Sequence, residues 1–151
     1  MKLSAVRKHI VCILTFTATI TSFGLFSVSS SANTASSNDF KTPTGNIHCG
    51  SYDINNQKFL RCDIVKNLAK IPKQPKDCNL DWGNALIMDT IGKASRLCHG
   101  DTAINPTNPV LGYGKIWKKN GFICISKTTG LTCLNQNRKG WEISKTQQKF
   151  I

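Results

Sequence analysis

The six cysteines that follow residue 48 are the strongest constraint on how this 151-residue chain can fold. They are Cys49, Cys62, Cys78, Cys98, Cys124 and Cys133, and the seventh cysteine, Cys12, lies far upstream. An even set of cysteines in a small exported domain indicates a disulfide framework. Six cysteines allow about 15 pairings, so their number alone does not fix the connectivity. The registers of the predicted strands are therefore needed to predict which cysteines pair.

The N-terminal segment predicts export. Basic residues precede an apolar run from Ile10 to Phe26, and small residues follow it up to Ala32. This order is typical of a secretory signal peptide. Threonines interrupt the run, which is also shorter than the ~20 apolar residues that a membrane-spanning helix needs. We therefore predict a signal peptide over residues 1–32, whose cleavage removes Cys12 and leaves no stable membrane span.

The remaining residues suit one basic globular domain. A flexible leader is expected over residues 33–39 and a disulfide-bonded β domain over residues 40–151. Hydrophobic residues make up 40% of the chain and charged residues 19%, a composition typical of folded proteins. Cleavage removes three of the 20 basic residues and none of the 8 acidic ones, so the domain stays strongly basic. The expected location is the periplasm or the exterior of the cell.

A first hairpin is predicted between Cys49 and Cys62. Asn55 and Asn56 lie at the centre of this segment and tolerate the positive φ of a two-residue primed turn. Pairing the strands about that turn places opposite charges, two aromatic rings and two aliphatic side chains face to face. The same register makes the two cysteines a non-hydrogen-bonded pair, with side chains close enough to bridge. We predict a Cys49–Cys62 disulfide.

A second hairpin is predicted around Lys127–Gly130. A four-residue loop with Gly130 in the left-handed conformation would place Cys124 opposite Cys133. The β-branched residues of this loop suit a two-residue primed turn poorly. The two hairpins share a sparse sequence pattern, for which duplication and convergent hairpin chemistry are both open explanations. We predict a Cys124–Cys133 disulfide.

The rest of the domain is also expected to be rich in β-structure. Further strands are predicted at Ala85–Asp89, Ala94–Cys98, Leu111–Trp117 and Trp141–Ser144. The segment Val65–Asp77 combines lysines with two prolines and is expected to form an extended basic loop after at most one or two helical turns. By elimination, Cys78 pairs with Cys98. The predicted fold is mostly β, a small disulfide-stapled domain built from antiparallel hairpins.

Short motifs follow one another in a characteristic order along the domain. They are T-P-T-G-N-I at residues 42–47, R-C-D-I at 61–64, D-W-G at 81–83, G-D-T at 100–102 and L-T-C-L-N at 131–135. With the six cysteines, this series resembles a bacterial family of small exported, cysteine-containing domains of unknown function. The resemblance implies an exported, disulfide-bonded domain and implies no activity.

Two aspartates are candidates for acid–base chemistry. Asp81 and Asp101 each lie near one cysteine of the predicted Cys78–Cys98 disulfide, which would bring their carboxylates into one neighbourhood. Paired carboxylates can hydrolyse a glycan. The structural alternative is that the aspartates cap turns while Trp82 fills the core. A core this small leaves little room for a catalytic cleft, so the structural alternative is preferred and no catalytic residue is assigned.

Two histidines remain after signal-peptide cleavage. His48 faces Asp63 in the predicted register, and His99 lies beside Asp101, so hydrogen bonding is the expected role of both. Because the cysteines are consumed by disulfides, thiolate ligands for zinc are not expected. No motif for a phosphate loop, a nucleophilic serine or a zinc protease occurs. Neither a metal nor another cofactor is predicted.

Basic residues with nearby tryptophans are the candidate binding surface. The predicted residues are Lys66, Lys70, Lys73, Lys76, Lys115, Trp117, Lys118, Lys119, Arg138, Lys139 and Trp141, with Lys145 and Lys149 extending the last group. A charged, aromatic surface can hold an anionic polymer. The alternative is a solvated surface that keeps the protein soluble. No nucleic-acid motif is present, and export also disfavours nucleic acid as a partner.

Three functions follow as hypotheses. The preferred one is a non-enzymatic domain that presents the basic, aromatic surface to an anionic envelope polymer. The second is an inhibitor or immunity protein that blocks an envelope enzyme or toxin with an inserted loop, such as Val65–Asp77 or Asp101–Pro109. The third is a small glycan hydrolase that uses Asp81 and Asp101.

Overall fold

Two five-stranded antiparallel sheets form the part of the chain that the computed structural model describes, residues 37–151. The first sheet contains β1 (Asp39–Lys41), β2 (Ile47–Ile54), β3 (Gln57–Ile64), β4 (Ala85–Asp89) and β5 (Ser95–Arg96). The second contains β6 (Ile116–Lys119), β7 (Phe122–Lys127), β8 (Gly130–Leu134), β9 (Gly140–Ile143) and β10 (Gln148–Phe150). In both sheets the spatial order of the strands follows the chain. The predicted mostly-β fold built from antiparallel hairpins is confirmed.

The N-terminal predictions lie largely outside this part of the chain. The predicted signal peptide, residues 1–32, and the first four residues of the predicted leader are not among the described residues. Strand β1 begins at Asp39, the last residue of that leader. Within residues 37–151, no helix is long and apolar enough to cross a membrane.

The first predicted hairpin is confirmed in register and in turn type. Asn55 and Asn56 have φ angles of 52° and 63°, as a two-residue primed turn requires. Cys49 pairs with Cys62 across β2 and β3, and their Cα atoms are 4.1 Å apart. This distance is typical of the closer, non-hydrogen-bonded type of antiparallel pair.

The other two predicted disulfides are also present. They join Cys78 to Cys98 and Cys124 to Cys133. The turn of the second hairpin is tighter than predicted, because Lys127 pairs directly with Gly130 and leaves a two-residue turn rather than a four-residue loop. Gly130 has a φ of 145°, and a Cβ there would lie 2.3 Å from the carbonyl oxygen of Ile143. Close packing against β9 therefore adds a second requirement for glycine.

Three of the four other predicted strands have different bounds in the structure. Ala85–Asp89 is confirmed, Trp141–Ser144 shifts by one residue to β9, and Ala94–Cys98 shortens to β5. Leu111–Trp117 is largely wrong, because the chain turns at Gly114, which has a φ of 75°, and β6 starts only at Ile116. A glycine in this conformation ends extended pairing.

Each sheet contributes one row of side chains to the shared core. The row of the first sheet is Phe40, Cys49, Cys62, Leu86 and Arg96, in paired register across β1 to β5. The row of the second sheet is Trp117, Cys124, Cys133, Trp141 and Phe150, across β6 to β10. In both sheets, the disulfide joins the second strand to the third.

The two rows pack against each other in the same order. At one edge, the rings of Phe40 and Trp117 are 5.1 Å apart. In the middle, the sulfur atoms of the two disulfides come together, with Cys133 within 4.8 Å of both sulfurs of the first bridge. At the other edge, the Arg96 guanidinium lies 5.0 Å from the centre of the Phe150 ring. The fold is therefore a β-sandwich whose two disulfides meet at its centre.

The connections between strands divide the sandwich into two ends. We call one the turn end, formed by residues 55–56, 90–94, 120–121 and 135–139. We call the other the loop end, formed by residues 42–46, 65–84, 97–115, 128–129 and 144–147. Two of the loop-end connections exceed the ~12–15 residues above which irregular loops are usually functional. These long connections favour the loop end as the location of a functional site.

Candidate functional site

A groove of about 470 Å³ opens between the two sheets at the loop end. Its lining residues are Thr42, Thr44, Asn46, Ile47, Lys66, Tyr113, Lys127, Thr128, Thr129, Gly130, Ser144, Lys145 and Thr146. The first sheet contributes the β1–β2 turn and the start of the β3–β4 loop. The second sheet contributes the turns that follow β7 and β9. Residues far apart in the sequence thus form one surface.

The lining of the groove is cationic and rich in hydroxyl groups. Lys66, Lys127 and Lys145 supply three exposed ammonium groups, and none of them takes part in the four ion pairs found among residues 37–151. Seven lining side chains carry a hydroxyl group, and no lining residue carries a carboxylate. Such a groove can offer charge to an anion and hydrogen bonds to a hydroxylated ligand.

The T-P-T-G-N-I motif builds one wall of this groove. The Thr42 hydroxyl accepts a hydrogen bond from the Ile47 amide at 3.2 Å, which closes a turn in which Gly45 has a φ of 67°. Asn46 then binds the backbone of Lys66 twice, accepting from its amide at 2.9 Å and donating to its carbonyl oxygen at 3.2 Å. The motif therefore fixes the backbone from which the Lys66 side chain projects.

A second polar cluster lies beneath the β5–β6 loop on the outer face of the first sheet. Arg61 binds both carboxylate oxygens of Asp63, at 2.7 and 2.9 Å, and one oxygen of Asp101 at 2.6 Å. Asp63 is fully buried and also accepts hydrogen bonds from the hydroxyl of Thr102 and the amide of Ala103. The cluster thus fastens the loop to β3.

The two histidines belong to the same loop-anchoring structure. His48 lies opposite Asp63 in the strand register, as predicted. Its ring accepts a hydrogen bond from the Asn105 amide at 3.3 Å and contacts the carbonyl oxygen of Gly45 at 3.0 Å.

His99 makes a second set of contacts. Its ring nitrogens lie within hydrogen-bond distance of Arg61 and of the side-chain oxygen of Asn84. Both rings are buried, and hydrogen bonding is the role that the structure assigns to them.

The charge cluster also determines the ionisation of Asp101. Burial opposes the charge of Arg61, but the hydrogen bonds that the guanidinium donates to Asp63 and Asp101 outweigh this effect and raise its pKa. The same contact lowers the pKa of Asp101. A carboxyl group with a lowered pKa is a poor general acid near neutral pH. The antiparallel bridge between Asp81 and His99 does bring the two aspartate-containing segments together, as the sequence predicts.

The lowered pKa of Asp101 predicts a pH-dependent effect of the variant Asp101→Asn. An aspartate in the unfolded chain titrates near pH ~3.9, so the Arg61 contact stabilises the fold above that pH. This stabilisation is lost as the pH falls through the lower pKa of the folded state. Urea unfolding should therefore show Asp101→Asn to be less stable than the wild type at neutral pH, and this deficit should disappear as the pH falls through the lowered pKa of Asp101 in the folded state. The control is Asp81→Asn, whose carboxylate forms none of the ion pairs of residues 37–151. A deficit of Asp101→Asn that persists in acid would contradict this ion-pair argument.

Comparison with known proteins identifies the chain as a member of a protein family. Residues 19–151 match a family of unknown function, DUF6636. The chain belongs to this family. Comparisons with curated proteins and with solved structures found no match. The description of the DUF6636 family carries no activity.

The aromatic part of the predicted binding surface is wrong. Trp117 and Trp141 are fully buried between the sheets. The indole nitrogen of Trp117 donates to the carbonyl oxygen of Ser37 at 2.8 Å, so even its polar atom is used within the domain. The prediction placed these rings on the surface because lysines are their neighbours in the sequence. They are buried instead because burial of their large apolar area stabilises the fold.

The predicted basic residues do not form one surface. Lys66, Lys70, Lys73, Lys76 and Lys115 lie on the loop end. Lys118 and Lys119 precede the β6–β7 turn, and Arg138 and Lys139 lie in the β8–β9 loop, so these four belong to the turn end. Lys127 was missed by the sequence analysis, because its closeness to Lys66 depends on how the two sheets pack. Of the predicted residues, the groove contains Lys66 and the additional Lys145.

Proposed function

We propose that this domain is a non-enzymatic, exported bacterial protein that binds an acidic glycan of the cell envelope in the loop-end groove. The observation that carries the proposal is the convergence of Lys66, Lys127 and Lys145 on a groove that contains no carboxylate. Three ammonium groups in one groove attract a polyanion, and the surrounding hydroxyl groups can bind the hydroxyl groups of a sugar.

The scaffold supports a binding role outside the cytoplasm. Three disulfides favour an oxidising compartment. Two of them lie between the sheets that form the groove, which limits the conformational entropy lost when a ligand binds. Hydrolysis of the glycan is less well supported, because the usual pair of catalytic carboxylates is missing from the groove lining.

The first experiment compares binding of alginate, a polyuronate, with binding of the neutral polymer dextran. The double variant Lys127→Glu/Lys145→Glu should bind alginate at least ~10-fold more weakly at low salt, since each reversal turns an attraction of about 1 kcal/mol into a repulsion. Wild-type binding should weaken with salt, which screens the charges. Dextran should bind weakly to both proteins.

The matched control is Lys118→Glu/Lys139→Glu, which makes the same change in net charge at the turn end. Isothermal titration calorimetry should show that it keeps most of the affinity for alginate. Equal losses in the two double variants would mean that only net charge attracts the polymer, and the assignment to the groove would then be wrong.

An inhibitor or immunity function is a second candidate, favoured by the anchored loop between Asp101 and Val110. Side chains of Lys41, His48 and Asp63 all bind its backbone, although it contains no regular secondary structure. A rigid, exposed loop can enter the cleft of an envelope enzyme or toxin at low entropic cost. A protein retained from an envelope extract at high salt by the wild type, and not by Thr107→Arg, would support this function. Retention by both would contradict it.

A further inference from the structure

The β3–β4 loop carries both exposed aliphatic side chains and exposed lysines. Val65, Leu68 and Leu80 expose 55%, 58% and 57% of their surface. Four lysines of the same loop are also exposed: Lys66, Lys70, Lys73 and Lys76. We propose that this loop docks on the surface of an anionic lipid bilayer, with leucines entering the interface and lysines contacting headgroups. This site goes beyond the groove and shares only Lys66 with its lining.

The loop is held in one conformation by its own contacts. The disulfide of Cys78 fastens its second half to Cys98. Gln74 donates to the carbonyl oxygens of Cys78 and Leu80, at 2.7 and 2.9 Å. The Trp82 ring, expected in the core, is instead half-buried and donates to the carbonyl oxygen of Pro72 at 3.2 Å. The leucines are therefore exposed on a loop that its own contacts hold in one conformation.

The start of the loop is fixed in the same way. Asn67 donates to the carbonyl oxygen of Gly83 at 2.8 Å, and the Leu68 amide donates to the carbonyl oxygen of Lys145 at 2.6 Å. Ile71 packs against Gly83, since a Cβ on Gly83 would lie 2.6 Å from a methyl carbon of Ile71. The loop thus partly buries Ile71 while it leaves Leu68 exposed. An anchored loop loses little further entropy when it binds a surface.

The charges of the loop are complementary to an anionic membrane. None of its four lysines takes part in the ion pairs found among residues 37–151. Asp77 and Asp81 are the acidic residues of the connection 65–84, so positive charge prevails there. A lysine near an anionic leaflet contributes about 1 kcal/mol to binding. Stable attachment generally needs a second signal besides charge, which the exposed leucines supply.

Apolar exposure favours a lipid rather than a hydrated polymer as the partner of this loop. A hydrated glycan gives Leu68 and Leu80 no apolar surface to enter, whereas the boundary between headgroups and acyl chains does. Burial of a leucine that is otherwise exposed gains about 1.5–3 kcal/mol. Lipid binding at this loop should therefore depend on both the leucines and the lysines, whereas a hydrated polymer bound there would depend on the lysines and not on the leucines.

Vesicle flotation tests the proposal with the oxidised protein. Wild-type protein should float with vesicles of phosphatidylcholine and phosphatidylglycerol, and not with phosphatidylcholine alone. The variants Leu68→Ser and Leu80→Ser should each lower the partition coefficient by about 10-fold, because each removes a side chain that enters the interface. Lys70→Gln and Lys73→Gln should each lower it by about fivefold.

The turn end supplies a matched control for the leucine variants. Ile54 and Ile91 expose 55% and 61% of their surface there, so Ile54→Ser and Ile91→Ser remove equally exposed aliphatic groups. They should leave flotation unchanged. If the leucine variants float as well as the wild type, or if the isoleucine controls lose as much flotation as the leucine variants, the loop does not enter a bilayer and the proposal is wrong.

Groove variants separate this proposal from the proposed function. Lys127→Glu/Lys145→Glu should lose alginate binding but keep most of its flotation, whereas Leu68→Ser should keep alginate binding. Loss of both activities in each variant would overturn the separation of the two sites. If the wild type floats with anionic vesicles but does not bind alginate, the proposed function is wrong and the lipid proposal is supported.

Discussion

Replacing Asp63 with alanine should lower the free energy of unfolding by about 3–5 kcal/mol. Asp63 is fully buried and binds Arg61 through both carboxylate oxygens. Without it, Arg61 keeps only the exposed Asp101 as a charged partner, and the amide of Ala103 loses its acceptor. Breaking a buried ion pair from one side leaves an uncompensated charge, which is costly. Urea unfolding monitored by tryptophan fluorescence measures the loss.

The matched control for this prediction is Asp53→Ala. Asp53 pairs with Lys58 at 2.9 Å, but both side chains are nearly half exposed to solvent. An exposed pair is worth about 0–1 kcal/mol, so the control should change stability little. Hydrogen exchange adds a local measurement, because Asp63→Ala should expose the Ala103 amide while the β2–β3 hairpin stays protected. Similar stability losses in the two variants would contradict the role given to the buried pair.

Features encoded by neighbouring residues were predictable from the sequence. The Asn55–Asn56 turn fixes the register of β2 and β3, and that register alone brings Cys49 and Cys62 together. The same kind of signal was overlooked at Asn120 and Gly121, whose φ angles of 51° and 88° form the turn between β6 and β7. Asn-Gly is among the strongest hairpin signals, so β6 could have been placed correctly.

Features that depend on distant parts of the chain were not predictable. The register puts His48 opposite Asp63, but Asp63 pairs with Arg61 two residues earlier on the same strand. The position of Trp117 follows from packing against Phe40 of the other sheet, which no local pattern encodes. The groove has the same origin, since Lys66 and Lys127 meet only after the two sheets stack. Sheet packing therefore explains both why Trp117 is buried rather than on the predicted surface and why the groove forms.

The cross-strand disulfide of the first sheet should be worth more than the Cys78–Cys98 disulfide. The two bridges close loops with sequence separations of 13 and 20 residues, for which chain entropy predicts about 3 kcal/mol each. Burial distinguishes the two bridges, since Cys49 and Cys62 are fully buried in the core and their sulfurs lie within 4.8 Å of the Cys133 sulfur. Cys49→Ala/Cys62→Ala should therefore cost a further 1–2 kcal/mol or so in lost packing, or about 4–5 kcal/mol in total.

Removal of the other bridge should have a different result. Cys78→Ala/Cys98→Ala should cost about 3 kcal/mol or less, because this bridge lies outside the central core cluster. Its larger effect should be on the β3–β4 loop, which loses its covalent anchor, so flotation with anionic vesicles should fall while alginate binding persists. Non-reducing urea unfolding of both double variants measures the stabilities. If the Cys78–Cys98 variant is the less stable of the two, the central disulfides do not hold the sandwich together in the way their burial implies.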